Sequence, residues 1–233
     1  MLGEINIVWF KRDLRITDHI PIYKASKESI PFIPLYVLDQ NYWSQDFSSI
    51  RHWNFVYDCL EELNIELSNI GQPLIIKKGS AVNIFKDIQS NFKINKVYAH
   101  EETSNDWVRK ENLLVKNWFE KNQIEFIEYP TNGVVRGLKS RDEWIKIKNQ
   151  RLVSELTPSL ERIKKIDYYK SDLISRKSII FEDNFIFNIQ KGGRKTGLKI
   201  LDSFLNFRSK SYLKNISSPK SSSEYCSRIS PYL

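Results

Sequence analysis

The stretch Ile5–His19, INIVWFKRDLRITDH, decides the fold. Ile5, Asn6, Ile7, Val8 and Trp9 are mostly apolar, long enough for a buried strand and too short for a helix. Lys11, Arg12, Asp13, Leu14 and Arg15 follow with no Gly and no Pro among them. A strand that runs straight into three cations and a carboxylate has reached the edge of a sheet, where polar side chains meet water or a ligand. Thr17 or Asp18 then stands where a cap is needed for a helix opening near His19 or Ile20. Strand, charged crest and helix form the first unit of an open α/β sheet, and such sheets bind ligands at the carboxyl ends of their strands.

The same unit repeats downstream. Strands are predicted over 5–10, 32–38, 74–77, 96–99 and 124–129. Helices are predicted over 19–29, 51–70, 81–92 and 106–122. The clearest helix is 51–70, whose residues Phe55, Val56, Cys59, Leu60, Leu63 and Leu67 recur at three- and four-residue steps before Gly71 and Pro73 end it. Residues 40–50 read as a loop. Ser80 stands at a cap position, and Asn105 or Ser104 does so for the helix over 106–122. Five alternations with short connections imply right-handed crossovers and a five-stranded, doubly wound parallel sheet of Rossmann-like type. With strand order 3-2-1-4-5, the ligand crevice falls between strands one and four. Its lips are then Phe10, Lys11, Arg12, Ala99, His100, Glu101 and Glu102. No GxGxxG follows the first strand, so the ordinary dinucleotide fingerprint is absent.

After Pro130 the pattern changes. A turn is expected at Asn132-Gly133, then a basic helix over 140–156. Residues 157–190 show no clear period, which places a boundary there. The domains are therefore read as 1–132 (α/β), 133–190 (connecting segment) and 191–233 (the start of a helical domain). An amphipathic helix is predicted over 196–214 and a Ser-rich turn over 217–223. The last piece is too short to bury a core of its own, so the sequence is expected to be part of a longer helical domain.

The chain has 233 residues and a formal charge of +8, with an isoelectric point near 9.3. A basic balance favours polyanionic partners, although a Lys-, Ile- and Asn-rich composition of an AT-rich coding sequence accounts for it equally well. The tract Arg136, Lys139, Arg141, Lys146, Lys148, Arg151 reads as a solvated helix face or a DNA-facing one. Cys59 and Cys226 match no metal spacing and no disulfide framework, which suits a reducing cytoplasm. No apolar run reaches membrane-spanning length. His100 and His52 stand alone in sequence, so no metal site is expected. Trp53, Trp107 and Trp118 lie on helix stripes, where core packing is the default.

Three stretches resemble the DNA photolyase and cryptochrome family, and within it the bacterial photolyase-like branch. VWFKRDLRITDHIPIY (Val8–Tyr23) is similar to its opening motif. RHWNFVYDCLEELN (Arg51–Asn64) is similar to the helix after its second strand. LDSFLNFRSKSYL with SRISPYL (Leu201–Leu233) is similar to the beginning of its flavin-binding helical domain. AHEETSN (Ala99–Asn105) is a fourth, weaker match.

The resemblance implies a deoxyribodipyrimidine photo-lyase that repairs pyrimidine dimers in damaged DNA by light-driven electron transfer from FAD. It also implies an antenna chromophore of folate or deazaflavin type. Residue by residue it assigns FAD contacts to Tyr212, Cys226, Ser227, Arg228, Ile229 and Ser230, and antenna contacts to Glu101, Glu102 and Asn105. No catalytic residue is assigned, because the electron-transfer tryptophans and the dimer pocket belong to the half of the family fold not matched here. Two departures stand out in the helical part: Cys226 sits where the family has a hydroxyl, and Arg stands neither at Ile216 nor beside it, where some relatives place a DNA-phosphate contact. In the antenna part, the pattern after His100 reads Arg109 and Glu111-Asn112 in place of Tyr and Arg-Asp. The 233 residues alone are expected neither to hold FAD tightly nor to repair DNA. The alternatives are a cryptochrome-type photoreceptor and a stand-alone nucleotide- or pigment-binding α/β module. The protein is expected to be cytoplasmic and monomeric.

Overall fold

A computed structural model describes residues 3–166, 169–181 and 189–232. Five strands, β1 (Glu4–Phe10), β2 (Phe32–Leu38), β3 (Ile75–Lys78), β4 (Lys93–His100) and β5 (Glu125–Tyr129), pair in parallel in the order β3-β2-β1-β4-β5. This is the predicted sheet in the predicted order. The helices between them are α1 (Ile20–Ser26), α2 (Gln40–Trp43), α3 (Ile50–Asn69), α4 (Ala81–Asn91) and α5 (Asp106–Lys121). α6 (Arg141–Leu152) follows the sheet.

Alternation along β1 explains its central place. Ile5, Ile7 and Trp9 join Leu35, Val97 and Ala99 in one buried cluster with Phe85 and Ile88 of α4 and Val115 and Phe119 of α5. Trp9 meets Phe85 edge-on at 5.2 Å. The even residues Val8 and Phe10 are equally buried, and Phe10 packs on His19 at the start of α1. A strand apolar on both faces is what a parallel sheet covered on both sides requires.

The structure corrects several local expectations. α1 is capped by His19, whose Nδ1 accepts the Ile22 N–H at 3.2 Å, and not by Thr17 or Asp18. Asp18 takes a positive φ of 49°, and its carboxylate accepts the Thr157 N–H at 2.8 Å. The loop expected over 40–50 contains α2, because Asp39 accepts the Asn41 N–H and caps it. β4 begins at Lys93, because Lys93 and Ile94 pair with Glu4 and Ile5 ahead of a bulge in β4, where Asn95 and Lys96 oppose Asn6.

The chain divides into two compact units, Met1–Ser48 with Leu63–Ser175, and Ser49–Glu62 with Arg176–Leu233. In the first unit, residues 157–166 and 169–175 run as a strap. Ile163 N–H donates to the Ile70 carbonyl at 2.6 Å, and the strap carbonyl passes so close to Gly71 (φ 115°) that a Cβ there would stand 2.5 Å from it. Asp172 N–H donates to the Ile76 carbonyl, and Ser171 and Asp172 side chains accept from Ile76 and Lys78. The free edge of β3 is thereby covered. Residues 167, 168 and 182–188 of the connecting segment, and Leu233, lie outside the described residues.

In the second unit the helix expected over 196–214 is broken into α7 (Arg194–Asn206), a 3-10 turn over Arg208–Ser211 and α8 (Tyr212–Asn215). The break has a cause at Arg208, whose guanidinium turns back to the Ile200 carbonyl. The Ser-rich stretch holds α9 (Ser222–Tyr225). The start of α7 is fixed by α3 side chains. Gly192, Gly193 and Lys195 N–H groups donate to Asp58, Cys59 Sγ and Glu62. Gly192 is obligatory there, since a Cβ would lie 2.1 Å from the Phe55 carbonyl oxygen.

Candidate functional site

Two polar clusters occupy the carboxyl edge of β1 and β4, one on each face of the sheet. On the α1 face, Asp13 is buried with His19 and His100. His19 Nε2 lies 2.7 Å and His100 Nδ1 2.5 Å from Asp13 Oδ2, while Asp13 Oδ1 accepts the Lys11 N–H. Burial would raise the Asp13 carboxyl, but the two imidazoles outweigh it and hold it well below the usual range. Burial lowers His19, against the pull of Asp13.

His100 is therefore not the lone histidine the sequence suggests. These three residues offer ligand atoms within 4.8 Å of one another, the spacing of a metal site. The donor chemistry argues against one. His19 Nδ1 accepts a helix N–H, so its proton sits on Nε2 and faces Asp13. A metal would need that Nε2 lone pair and would set an Nδ1–H against the Ile22 N–H. The arrangement fits a hydrogen-bonded triad.

On the α5 face, Lys11 Nζ reaches Asn112 Oδ1 at 2.9 Å and the His100 carbonyl at 3.4 Å, beside Glu128 at 3.6 Å. It also lies 4.4 Å from the centre of the Trp9 ring. Burial pushes the Lys11 ammonium down, with Glu128 opposing. Arg136 spans the edge, donating to Glu128 and to the Glu102 carbonyl. Burial would raise Glu128, and the Arg136 bonds and the Lys11 charge more than reverse it. Asp39 is raised by burial, and Glu111 by burial and by the Asp39 charge. Tyr42 lies 5.7 Å from Trp107 and gives this edge an aromatic border.

The antenna candidates divide. The Glu102 side chain is 8% exposed and reaches Arg12 at 3.8 Å. Glu101 N–H is held by the Tyr129 carbonyl. Asn105 Oδ1 is used in capping α5, accepting the Val108 N–H at 3.0 Å. Sequence reasoning missed Asp13, His19, Asn112, Glu128 and Arg136 as a connected set. A histidine six residues after the carboxylate of the charged crest, in a cap position before Ile-Pro-Ile, was the available signal for the triad.

The flavin candidates lie in the second unit. Tyr212 packs edge-on to Phe204 at 5.6 Å, and the Arg208 guanidinium lies over the same Phe204 ring. Arg208 also donates to the carbonyls of Cys226 and Ser227. Arg208, which the sequence did not single out, therefore links the Phe204 ring, on which Tyr212 packs, to the Cys226 and Ser227 carbonyls. Arg228 takes a positive φ of 55°, its carbonyl accepting from Gln190 at 2.6 Å. Ile229 and Ser230 lead into a 3-10 turn over Ser230–Tyr232. The hydroxyls of Tyr212, Ser227 and Ser230 make no hydrogen bond among the described residues, so they are free to donate to an anionic group.

A family model, DNA photolyase, matches residues 6–142, more than half of the chain. The chain is similar to a chloroplastic/mitochondrial cryptochrome DASH of Solanum lycopersicum, 29% identical over 119 residues, which are 48% of this chain and 21% of that protein. A crystal structure of a class III photolyase from Agrobacterium tumefaciens superposes with a TM-score of 0.76 at 17% identity, covering 100% of this chain and 50% of that one. An archaeal photolyase structure from Sulfolobus tokodaii, described with two FAD molecules, gives 0.72 at 21% identity, covering 98% and 51%. The chain thus spans about half the length of these solved structures.

Proposed function

This chain belongs to the DNA photolyase family, and from that premise we propose that it is the N-terminal portion of a blue-light-dependent flavoprotein acting on pyrimidine dimers in DNA. The observation that carries the reading is the family match over 6–142, which takes in both the charged crest and the crevice. In this proposal FAD supplies the photo-excited electron. Tyr212, Ser227 and Ser230 would hold its phosphates through their spare hydroxyls, with Cys226, Arg228 and Ile229 forming the rest of the wall. Arg208 holds the Ser227 carbonyl and lies over the Phe204 ring on which Tyr212 packs. The α/β unit serves as the antenna domain (1–132), the segment 133–190 as connection, and 191–233 as the start of the flavin domain. The crevice around Lys11, Glu102 and Glu128 would take the antenna pigment. The Sulfolobus protein, with its two FAD molecules and its implied light-harvesting cofactor, supports looking for a second chromophore.

A cryptochrome-type photoreceptor is the second reading, favoured by the cryptochrome DASH relatives. No helix among the described residues is long and apolar enough to cross a membrane, and we propose a cytoplasmic, monomeric protein. The test is the flavin content of the purified 233-residue chain. Little or no bound flavin is expected, with flavin binding and light-dependent dimer repair recovered when the remaining helical half is supplied. A complemented protein that binds flavin in full yet leaves dimers intact in light refutes the repair reading and favours the photoreceptor.

A further inference from the structure

Residues 131–153 are built as one body. Asn132 Oδ1 accepts the Val134 N–H. Trp144 Nε1 donates to the Gly133 carbonyl at 2.7 Å, and Arg151 donates to the carbonyls of Asn132 and Val134 at 2.8 and 2.7 Å. Turn and helix are thus stitched together. Their hold on the sheet is slight by comparison. α6 buries no residue. Among the described residues, the side-chain bonds joining this body to the sheet edge come from Arg136 and from Asn132, whose amide reaches Thr103 at 3.1 Å.

The Arg136 contacts form a latch. One guanidinium grips the Glu128 carboxylate on β5 at 2.9 and 3.2 Å and the Glu102 carbonyl beyond β4 at 2.6 and 3.0 Å. The same Glu128 carboxylate faces Lys11 and accepts from Asn112 at 3.3 Å. The latch therefore closes over the inner, lysine end of the crevice. Pro130 marks one end of the body. At the other, Leu152, Val153 and Leu156 are 73%, 82% and 76% exposed before the chain is pinned at Thr157. Gly137, at a φ of 66°, separates the latch from α6.

We propose that residues 131–153 form a hinged flap, held shut by Arg136 on Glu128 and the Glu102 carbonyl, whose opening admits a ligand to the Lys11 end of the crevice. The admission step rests on reading the crevice as a pigment site. The flap itself does not.

Hydrogen exchange tests the flap first. In Arg136→Ala, amides of 131–153 exchange roughly tenfold faster or more, while β1, β2 and β4 keep their protection. Arg136→Lys keeps the charge but loses the fork, and falls between the two. Unchanged exchange over 131–153 overturns the flap. If Arg136→Ala loosens the whole sheet, Glu128→Gln, which weakens the latch from its other side, decides on the same criterion. Flavin mononucleotide then serves as the probe ligand. Its association is expected to quicken about tenfold when the latch is cut, in line with a rise in the open fraction. Equal association rates in both proteins overturn gating. A flap that opens while neither protein binds the probe leaves the flap standing and refutes the pigment reading of the crevice.

Discussion

His19 and His100 donate to the same oxygen of Asp13, at 2.7 and 2.5 Å. His100 is 87 residues along the chain from that carboxylate. The triad ties the charged crest to the start of α1 and to the last residue of β4, and each tie depends on protonation. His19 can accept the Ile22 N–H only while Nδ1 is bare.

Stability should therefore fall with acid. The folded His19 titrates below its ordinary value of 6.5, and the Asp13 carboxyl well below 3.8. In each case the unfolded chain binds protons first as pH drops, so both contributions are present above the unfolded values and are lost as pH falls. Denaturant midpoints measured from about pH 8 to about pH 4.5 should decline on the acid side. In His19→Asn, which keeps a capping side chain without a titrating ring, the decline should be shallower. An identical slope in the two proteins would remove His19 from the explanation. Asp13→Ala leaves two ring N–H groups unpaired in the interior and should cost about 2–5 kcal/mol.

Arg208 should matter more to the second unit than a surface cation does. Its guanidinium serves Ser203 Oγ and the carbonyls of Ile200, Cys226 and Ser227. Arg208→Ala should cost about 1.5–3 kcal/mol, in the range for hydrogen bonds to a charged group. Protease cleavage should appear in the stretch 207–229. Arg208→Lys should not restore resistance, because one ammonium cannot reach several divergent carbonyls. Equal resistance in Arg208→Lys and the parent would show that charge alone suffices.

What was legible in the sequence was legible for a physical reason. Ile5–Trp9 and Phe32–Leu38 are short apolar runs bounded by charge, and that pattern has one stable outcome in an alternating chain, a buried parallel strand. The amphipathic stripes of α3, α4 and α5 fixed the layers on either side. A cap at Asn105 or Ser104 was legible because Asn and Ser ahead of a helix are a local signal, and it is the Asn105 side chain that bonds Val108. The triad and the Arg136 latch were not legible. Each joins separate elements, one through Asp13 Oδ2 and the other through the Arg136 guanidinium, and no period records such a contact. The strap was hidden for the opposite reason. Residues 157–166 and 169–175 are held by isolated bonds to Asp18, Ile70, Gln72, Asp87 and β3, so their sequence has no repeat to read, although Ile163 and Tyr169 are 5% and 8% exposed.

That strap yields a prediction about solubility. β3 is an edge strand whose Ile76 and Lys78 N–H groups bond to Ser171 Oγ and the Asp172 carboxylate. Replacing both residues with Ala removes those acceptors and leaves an edge ready to pair with another chain. The double variant should aggregate at concentrations where the parent stays dispersed, as read by light scattering. Single Tyr169→Phe, which loses only the bond to Asp87, should cost about 1 kcal/mol and leave scattering unchanged. Matching scattering in the double variant and the parent would mean the edge is protected by other means.

Cys59 should be chemically silent while the second unit is folded. Burial pushes its thiol up to about 11, against the Gly193 N–H that favours the thiolate. The thiolate is the reactive form, so at neutral pH only about one molecule in ten thousand carries it. The sulfur also accepts that N–H at 3.1 Å, and alkylation would break the bond that seats the start of α7. A maleimide or disulfide reagent at neutral pH should leave the peptide containing Cys59 unlabelled in the native protein and label it fully in denaturant. Gly193→Ala should change this. A side chain at that φ of 95° is strained, and its Cβ would displace the Glu62 carboxylate that accepts the Lys195 N–H, loosening the segment on α3. The thiol should then react in buffer. If Cys59 in the parent is labelled as fast as a free thiol, the contact between α3 and the Gly192-Gly193 segment is not formed in solution.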